Sequence, residues 1–369
     1  MSKVKRQHYV PQSYLERWSR KDKSNQVFVF DKEQKRSFSS SIKGVASSNY
    51  FYDFPSELQA HKEEIFKKAE EENLPLDVIE LLLNEQAIEK SLSDIEGIVG
   101  VILTKAIKKL DDVSAFPEVY INRYKIFSSE DRDILAYYIA LQYARTEEIR
   151  MSMEEMSQKF YKEWSWLIMQ NLDKVKKDKG AVTKVGKEKI SDLQDAIDNK
   201  TWTKDSYNIE LDPVYTKVQH LSMIFELAQQ ISKYLYSYKW LISRNFTTQP
   251  FFTSDNPVVK KANMNHPFYS GGFQSKGMEV HFPLSNCYTL TMHEPSYLQE
   301  KNPELMQMYI LDATEQNVMY FNDIQVKHAT NQLFCSENKF EMALKRIKES
   351  PEIAKKSRER ITMSGFGEH

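Results

Sequence analysis

The sequence predicts an α+β protein: a helical core with a small β-rich N-terminal cap and a mixed sheet from the C-terminal third. Long segments in the middle of the chain carry apolar residues at helical spacing, whereas short β-branched and aromatic runs between turn residues occupy both ends. With 369 residues, 41% of them hydrophobic, the chain can bury a large core. We expect one integrated domain with a helix–hairpin cap over 1–55, a helical region over 56–237 and an α+β region over 238–350.

The N-terminal cap opens with the stretch KRQHYVPQSYLERW. Pro11 suits the first turn of a helix, and Tyr14, Leu15 and Trp18 follow at helical spacing. The run NQVFVFD then alternates as a strand does, and the turn-rich segment up to residue 54 indicates a hairpin.

Two helices in the middle of the chain are the clearest. The second opens with a capping box from Ser128 to Asp131 and is expected to run through YIALQYARTEEIR into EWSWLIMQNL. Residues 174–189 hold seven lysines and two acids, which indicates a solvated linker or else a nucleic-acid contact. A further helix is expected over 213–237.

The first of the two clearest helices carries an apolar stripe. The stripe is made of Ile88, Leu92, Ile95, Ile98, Val99 and Leu103.

The last third combines strands and helices. The runs KWLISR, FFTSDNPVV, MEVHFPLS and CYTLTM are β-branched and aromatic, and turn residues separate them. Helices are expected over 303–331 and 338–349, followed by a frayed basic tail from Pro351. Since neither β-rich end makes a convincing sheet alone, we expect the two to pair into one sheet.

Composition excludes several classes of protein. Lys+Arg is 51 and Asp+Glu is 52, so any nucleic-acid surface must be local. The two cysteines, Cys287 and Cys335, form no CxxC pair, which argues against a zinc ribbon or a disulfide framework. A signal peptide and an 18-residue apolar run are both missing, so we expect a cytoplasmic protein without a membrane partner. The motifs GxSxG, Walker A, HExxH and GxGxxG are absent too.

An arginine and a glutamine share the apolar face of a middle helix. Tyr138, Gln142, Arg145 and Ile149 step by four, three and four residues. A buried arginine needs partners, so Arg145 is either a tie between helices, to Glu89 or Glu96, or a phosphate- or carboxylate-binding group at the floor of a pocket.

A cluster of polar residues ends the strand FFTSDNPVV. Because Asn-Pro breaks regular structure, Ser254, Asp255 and Asn256 are expected in a turn at a strand end. Asp255 is therefore a general base, a metal ligand or an Asx-turn residue.

His8 lies outside the first helix, with Gln12 just inside it. An imidazole titrates near neutral pH, which suits acid–base work, although a capping or packing role accounts for His8 equally simply. Asp31 or Asp53 would orient His8 if the small sheet folds back.

These segments resemble one known family in order and spacing. Together, QHYVPQSYLERW, FVFDK, NYFY, ALQYARTEEIR, FFTSDNPVV and HFPLS are similar to the bacterial domain-of-unknown-function family 4238, over about residues 6–336. Two departures are Trp18, where the family usually has phenylalanine, and Glu147, where a proline often follows Arg-Thr. The family's pattern falls on His8, Pro11, Gln12, Gln142, Arg145, Thr146, Ser254, Asp255, Asn256, Pro257, Pro283 and Leu284.

The resemblance implies a bacterial protein of mobile or defence-rich gene regions, which favours nucleic-acid or antiviral work and specifies no activity. The first hypothesis is a nuclease or phosphodiesterase, acting in antiviral defence or as a toxin-like effector. It uses a composite pocket with His8, Arg145 and Asp255 as catalytic residues. Gln12, Gln142, Ser254 and Asn256 would bind substrate.

Two other hypotheses stay open. In one, the protein is a non-catalytic sensor or interaction protein of a defence system, and the same residues form a structural polar network. In the other, it is a nucleotide-binding enzyme such as a transferase, with Phe251 and Phe252 stacking on a base. A nucleic acid or nucleotide is a possible partner and a divalent metal a possible cofactor, and the sequence assigns neither a metal ligand nor an oligomeric state.

Overall fold

The structure is a computed structural model that describes residues 5–53, 62–71, 80, 86–171, 194–199, 201–264 and 271–361. The lysine-rich segment 174–189 lies outside the described residues. Helices and several sheets, one of them mixed and built in the C-terminal part, confirm the predicted α+β class. The chain divides into two compact units: Met1–Ile149 with Val218–Arg358, and Arg150–Lys217 with Glu359–His369.

The N-terminal cap begins with a short strand and a short helix. Strand β1 (Arg6–His8) pairs antiparallel with β4 (Ser47–Asn49), which places His8 opposite Ser47. Helix α1 (Gln12–Leu15) starts directly after Pro11 and continues as a 3-10 turn through Trp18. Its apolar residues are buried as the spacing predicts: Tyr14, Leu15 and Trp18 are each at most 1% exposed. A hairpin of β2 (Gln26–Asp31) and β3 (Arg36–Ser41) completes the cap.

The helical region contains the two predicted long helices. The first, α3 (Ala87–Asp112), buries four members of its predicted stripe but leaves Ile98 55% exposed, because that residue lies beside the stripe rather than on it. The second, α5 (Ser129–Ala144), starts at the Ser128–Asp131 capping box and has Arg145 as its C-cap, and a separate helix follows. The helices are α2 (Lys62–Glu71), α3 (Ala87–Asp112), α4 (Glu118–Ile121), α5 (Ser129–Ala144), α6 (Glu147–Met169) and α7 (Pro213–Ser237).

The C-terminal part alternates strands with three more helices. The continuous helix expected over 303–331 is wrong, because a strand interrupts it. Ile310 is fully buried in that strand, which pairs in parallel with β5, and Thr314 then caps a new helix with Asn317. The elements are β5 (Lys239–Asn245), β6 (Thr253–Ser254), β7 (Val259–Ala262), β8 (Met278–Pro283), β9 (Tyr288–His293), α8 (Pro295–Lys301), β10 (Ile310–Ala313), α9 (Glu315–His328), β11 (Gln332–Cys335) and α10 (Glu341–Glu349).

The strands of the described residues form three sheets instead of the single sheet expected. Besides the β1–β4 pair, a mixed five-stranded sheet has the order β10-β5-β9-β8-β7 and contains only C-terminal strands. The four-stranded sheet, in the order β3-β2-β11-β6, does join the two ends of the sequence, and Phe30 of β2 pairs with Leu333 of β11.

One hydroxyl fixes the cap to the C-terminal strands. The Tyr14 hydroxyl donates to the carbonyl of Pro283 at 2.7 Å and lies 2.8 Å from the Thr253 hydroxyl. The Tyr14 ring also stacks on Phe282, with centroids 5.2 Å apart. These contacts hold α1, and with it the region around His8, on the main core.

The basic tail is ordered over its described part, contrary to the expected fraying. A 3-10 turn spans Pro351–Ala354, and Arg358 donates to the Glu148 carboxylate at 2.6 Å and to the Ala329 carbonyl at 3.0 Å. An ion pair with a buried acid is the physical reason, since it offsets the entropy of ordering the tail.

The second unit has polar and aromatic contacts of its own. The ring of Trp202 stacks on Tyr207 with centroids 6.2 Å apart, and the Tyr207 hydroxyl donates to the Lys162 carbonyl at 3.0 Å. The N–H groups of Arg360 and Ile361 donate to the Glu155 carboxylate.

Candidate functional site

The N-terminal cap and helix α3 enclose a cleft of about 600 Å³. The α3 residues that line it recur every three or four positions, so they form one face of the helix. This face lies beside the buried stripe of Ile88, Leu92, Val99 and Leu103. The lining residues are His8, Gln12 and Ser13 from the cap and Glu89, Ser93, Glu96, Gly97, Gly100, Val101, Thr104 and Lys105 from α3.

Two glycines make room in this wall. A Cβ atom added at Gly97 or at Gly100 would meet nothing within 4 Å. A helix interior normally favours alanine over glycine by about 0.5–1 kcal/mol, so the two glycines sacrifice helix stability and leave the cleft wide.

A buried arginine is fixed behind the cleft wall. Arg145, 1% exposed, donates from Nη1 to Oε1 of Glu96 at 2.7 Å and from Nε and Nη2 to Oε1 of Gln142 at 2.9 and 2.6 Å. The Gln142 amide in turn donates to the Tyr9 carbonyl at 2.9 Å. Burial is the largest single influence and lowers the pKa of Arg145, but the charge and hydrogen bond of Glu96, together with Tyr52 and Tyr138, hold the pKa above its ordinary value. Arg145 therefore remains a cation, paired with one of its two predicted partners.

His8 contributes a neutral imidazole to the cleft. Its Nδ1 lies 3.4 Å from the Gln12 amide nitrogen, and its buried Nε2 has no hydrogen-bond partner among the described residues. Burial lowers the pKa of His8 below 6.5; the nearby carbonyl of Lys43 opposes this shift, and the Arg6 charge adds to it. At pH 7 the ring is mostly uncharged and can accept a proton.

Glu89, on the opposite wall, titrates near neutral pH. Desolvation is the main cause and the Glu96 charge the second, and together they raise the pKa of Glu89 to about 7. Arg145 opposes the shift, whereas Asp53 adds to it. A carboxyl group that is half protonated near pH 7 can donate or accept a proton, as general acids and bases in active sites do.

Asp255 belongs to a different environment, a buried network at the end of β6. It is 2% exposed, and its carboxylate accepts the N–H groups of Thr330, Asn331 and Gln332, each at 2.8 Å. Desolvation raises the pKa of Asp255 to about 6, while the N–H groups and the Lys32 charge act in the other direction. Its oxygens thus tie the β6 turn to the segment between α9 and β11.

Ser254 and Asn256 extend this network. The Ser254 hydroxyl donates to the Gln325 side-chain carbonyl at 2.7 Å. The Asn256 amide donates to the His328 carbonyl at 3.0 Å and accepts from the Thr146 hydroxyl at 3.2 Å. Each polar atom named here has a partner inside the protein.

The seven residues predicted as one site are thus divided between two places. His8 and Gln12 line the cleft, and Gln142 and Arg145 stand directly behind it through Glu96. Within the part of the chain that the structure describes, Ser254, Asp255 and Asn256 do not line the cleft.

Glu89 and Glu96 were predicted only as ion-pair partners of Arg145, and their place in the cleft lining was not predicted. A usable signal was present: two glutamates seven residues apart on α3, with glycines at 97 and 100 on the same face. In the described ranges, no group of three or more His, Cys, Asp or Glu side chains is arranged to hold a metal ion.

Fold and cleft define an α+β protein with a polar cleft, lined by His8 and Glu89 among others, between a small cap and helix α3. Over residues 6–339 the chain matches the family described as a protein of unknown function (DUF4238), and it belongs to that family. No curated protein and no solved structure shows significant similarity to it. Among the described helices, none combines the length and the apolar character needed to cross a membrane.

Proposed function

We propose that the cleft is the active site of a hydrolase that cleaves phosphodiester bonds, as a nuclease or phosphodiesterase. One observation carries the proposal: a neutral histidine and a carboxyl group with a pKa of about 7, His8 and Glu89, face the same cleft. Active sites that use acid–base catalysis typically contain two titratable groups whose environments shift their pKa values away from the ordinary ones.

The roles follow from the protonation states at neutral pH. Neutral His8 accepts a proton from the attacking water, and protonated Glu89 donates one to the leaving oxygen. Lys105 and the hydroxyl of Ser93 line the same cleft and would hold the phosphate. Arg145 acts through Glu96, whose negative charge it balances next to the substrate.

The network of Asp255 has a supporting role in this proposal. Thr146, the neighbour of Arg145, is hydrogen-bonded to Asn256, so the network fixes the end of α5 from which Arg145 reaches the cleft. Asp255 is then a positioning residue rather than a proton donor or acceptor.

Activity assays on the full chain test the proposal. RNA, single- and double-stranded DNA and a chromogenic phosphodiester would be offered with and without divalent metal ions. His8→Gln and Glu89→Gln should each lower kcat/KM by about 100-fold or more, as expected for loss of a general acid or base. Asp94→Asn is the matched control, since this acid lies on α3 outside the cleft lining. Equal activity in all four proteins would contradict the assignment.

A second candidate function is a non-catalytic sensor or interaction protein. The satisfied hydrogen bonds of the Asp255 network favour it, because they show polar residues of the family pattern serving structure. If wild type cleaves none of the substrates, this candidate becomes the better one. The antiviral role implied by the family resemblance stays a prediction in either case.

A further inference from the structure

A second cavity, of about 280 Å³, lies where helix α5 begins against strand β5. Lys125 and Arg132 line it together with the aromatic rings of Tyr236, Trp240 and Tyr309, and it shares no lining residue with the cleft. Ser128 and Ser129 also line it, and none of its described lining residues is acidic. We call it the cationic cavity.

A third cation stands at its edge. Lys239 on β5 is only 9% exposed, and its ammonium lies 3.6 Å from the ring centroid of Tyr309. The ammonium of Lys125 lies over the same ring at 5.5 Å. Tyr309, a lining residue, therefore has two ammonium groups within 6 Å of its ring: that of Lys125, which also lines the cavity, and that of Lys239, which lies next to the lining.

Arg132 completes the cluster. Its guanidinium lies 5.0 Å from the ring of Trp240, and Nη2 donates to the carbonyls of Tyr236 and Tyr238 at 2.9 and 3.1 Å. Its Nε is buried and has no hydrogen-bond partner among the described residues. In the same described part of the chain, neither Arg132 nor either lysine forms an ion pair.

Among the described residues, the two acids in the first turn of α5 form no ion pair with this cluster. Asp131 accepts the Ser128 N–H in the capping box, and Glu130 is exposed. Burial first, and then the charges of Arg132 and Lys125, lower the pKa of Lys239 to about 8. Like charges held together in a partly desolvated place favour the uptake of an anion.

We propose that the cationic cavity binds a small phosphate-bearing ligand, a phosphate monoester no larger than a mononucleotide. Two cations in the lining, with a third, Lys239, against the lining residue Tyr309, suit a dianion better than a single carboxylate, and the two serines of the lining bring hydroxyl donors. The volume of about 280 Å³ admits a small organic phosphate and excludes a polymer from its interior. This site is separate from the proposed catalytic cleft and does not depend on it.

Titration calorimetry on the full chain at low ionic strength tests the proposal. The probes are adenosine 5′-monophosphate, inorganic phosphate and, as an uncharged control, adenosine. Adenosine 5′-monophosphate should bind most tightly. Lys125→Gln and Lys239→Met should each weaken it by about tenfold or more, as expected when one charged contact is lost. Lys345→Gln should bind as wild type, because Lys345 is 79% exposed and lies outside the cavity.

Proton uptake gives a readout that a purely structural role would not change. An anion stabilises charged Lys239, so binding at pH 8, near the pKa of about 8, should take up about half a proton in wild type. Lys239→Met should take up none. The uptake follows from the binding enthalpy measured in buffers of different ionisation enthalpy.

Several outcomes would overturn the proposal. These are no binding of either phosphate probe at millimolar concentration, equal binding of adenosine, or unchanged affinity in both lysine variants. Inorganic phosphate binding as tightly as the nucleotide would overturn the monoester and leave free phosphate as the ligand. Should Lys239→Met fail to fold, the exposed Lys125→Gln alone decides.

Discussion

The cleft and the Asp255 network both contain buried polar side chains, but these side chains differ in how completely they are hydrogen-bonded. At the cleft, the buried Nε2 of His8 has no hydrogen-bond partner among the described residues, and the pKa of Glu89 is raised to about 7. In the network, Asp255 accepts three N–H groups at 2.8 Å. The two regions meet at consecutive residues: Arg145 pairs with Glu96 of the cleft, and Thr146 is hydrogen-bonded to Asn256 of the network.

This difference shows that a polar residue within an apolar sequence pattern can belong either to a functional site or to a structural network. The pattern alone does not distinguish the two. The hydrogen bonds distinguish them, because a buried group whose donors and acceptors are all paired within the protein has none free to bind a ligand. The two regions should therefore respond to mutation in different measurements: the network in stability, the cleft in activity and pH dependence.

Removal of the network's central acid should have the largest effect on folding. Asp255→Ala leaves three backbone N–H groups without an acceptor, at a cost of about 3–5 kcal/mol in the free energy of unfolding. Urea denaturation measures it, and Asp255→Asn, which keeps one oxygen, should retain part of the stability. A loss below about 1 kcal/mol would remove the contrast between the two regions.

The cleft should show a smaller, pH-dependent effect. The pKa of Glu89 is raised from 4.5 to about 7, so the folded state binds this proton more tightly than the unfolded state. The contribution is present below pH 4.5 and is lost as pH rises towards 7, by about 2–3 kcal/mol.

Glu89→Gln isolates this contribution. The variant should lack this part of the pH dependence, so the difference in unfolding free energy between wild type and Glu89→Gln should change between these pH values. Denaturation series at several pH values measure it, and Asp94→Asn serves as control. A constant difference would show that Glu89 titrates normally, and the case for an acid in the cleft would fail.

The smallest effect concerns the glycines of the cleft wall. Gly100→Ala should raise the free energy of unfolding by about 0.5–1 kcal/mol, since the added methyl group meets no atom within 4 Å. Thermal denaturation measures this gain. Gly100→Leu should also fold but reduce any cleft activity by filling space, and a destabilised Gly100→Ala would mean that the cleft is closed at this point.

The fold class was predictable because its signals are local. The stripe on α3, the capping box at Ser128 and Pro11 at the start of α1 each involve residues within one or two turns. The strand at Ile310–Ala313 was not predictable from such signals. Four residues beside a helix-like pattern become a strand only because β5 offers an edge.

Only part of the cleft lining was predictable from the sequence: His8 and Gln12 were proposed for a pocket, whereas Glu89 and the α3 glycines were not. His8, Gln12, Gln142 and Arg145 do converge on one place, and the tie of Arg145 to Glu96 follows from the rule that buried arginines are paired. Nothing local in Ser254-Asp255-Asn256 reveals that its partners are the N–H groups of residues 330–332. That choice is made by tertiary contacts over long sequence separations.

The pairing of β2 with β11 also governs when the protein can become complete during translation. Phe30 leaves the ribosome roughly 300 residues before its partner Leu333 does. At about 5–20 residues per second, this delay lasts on the order of 15–60 s. Throughout it, one edge of β2 on the nascent chain has no neighbour and is open to pairing with other chains. The cap that carries His8 is therefore among the first parts to be synthesised and among the last to be anchored.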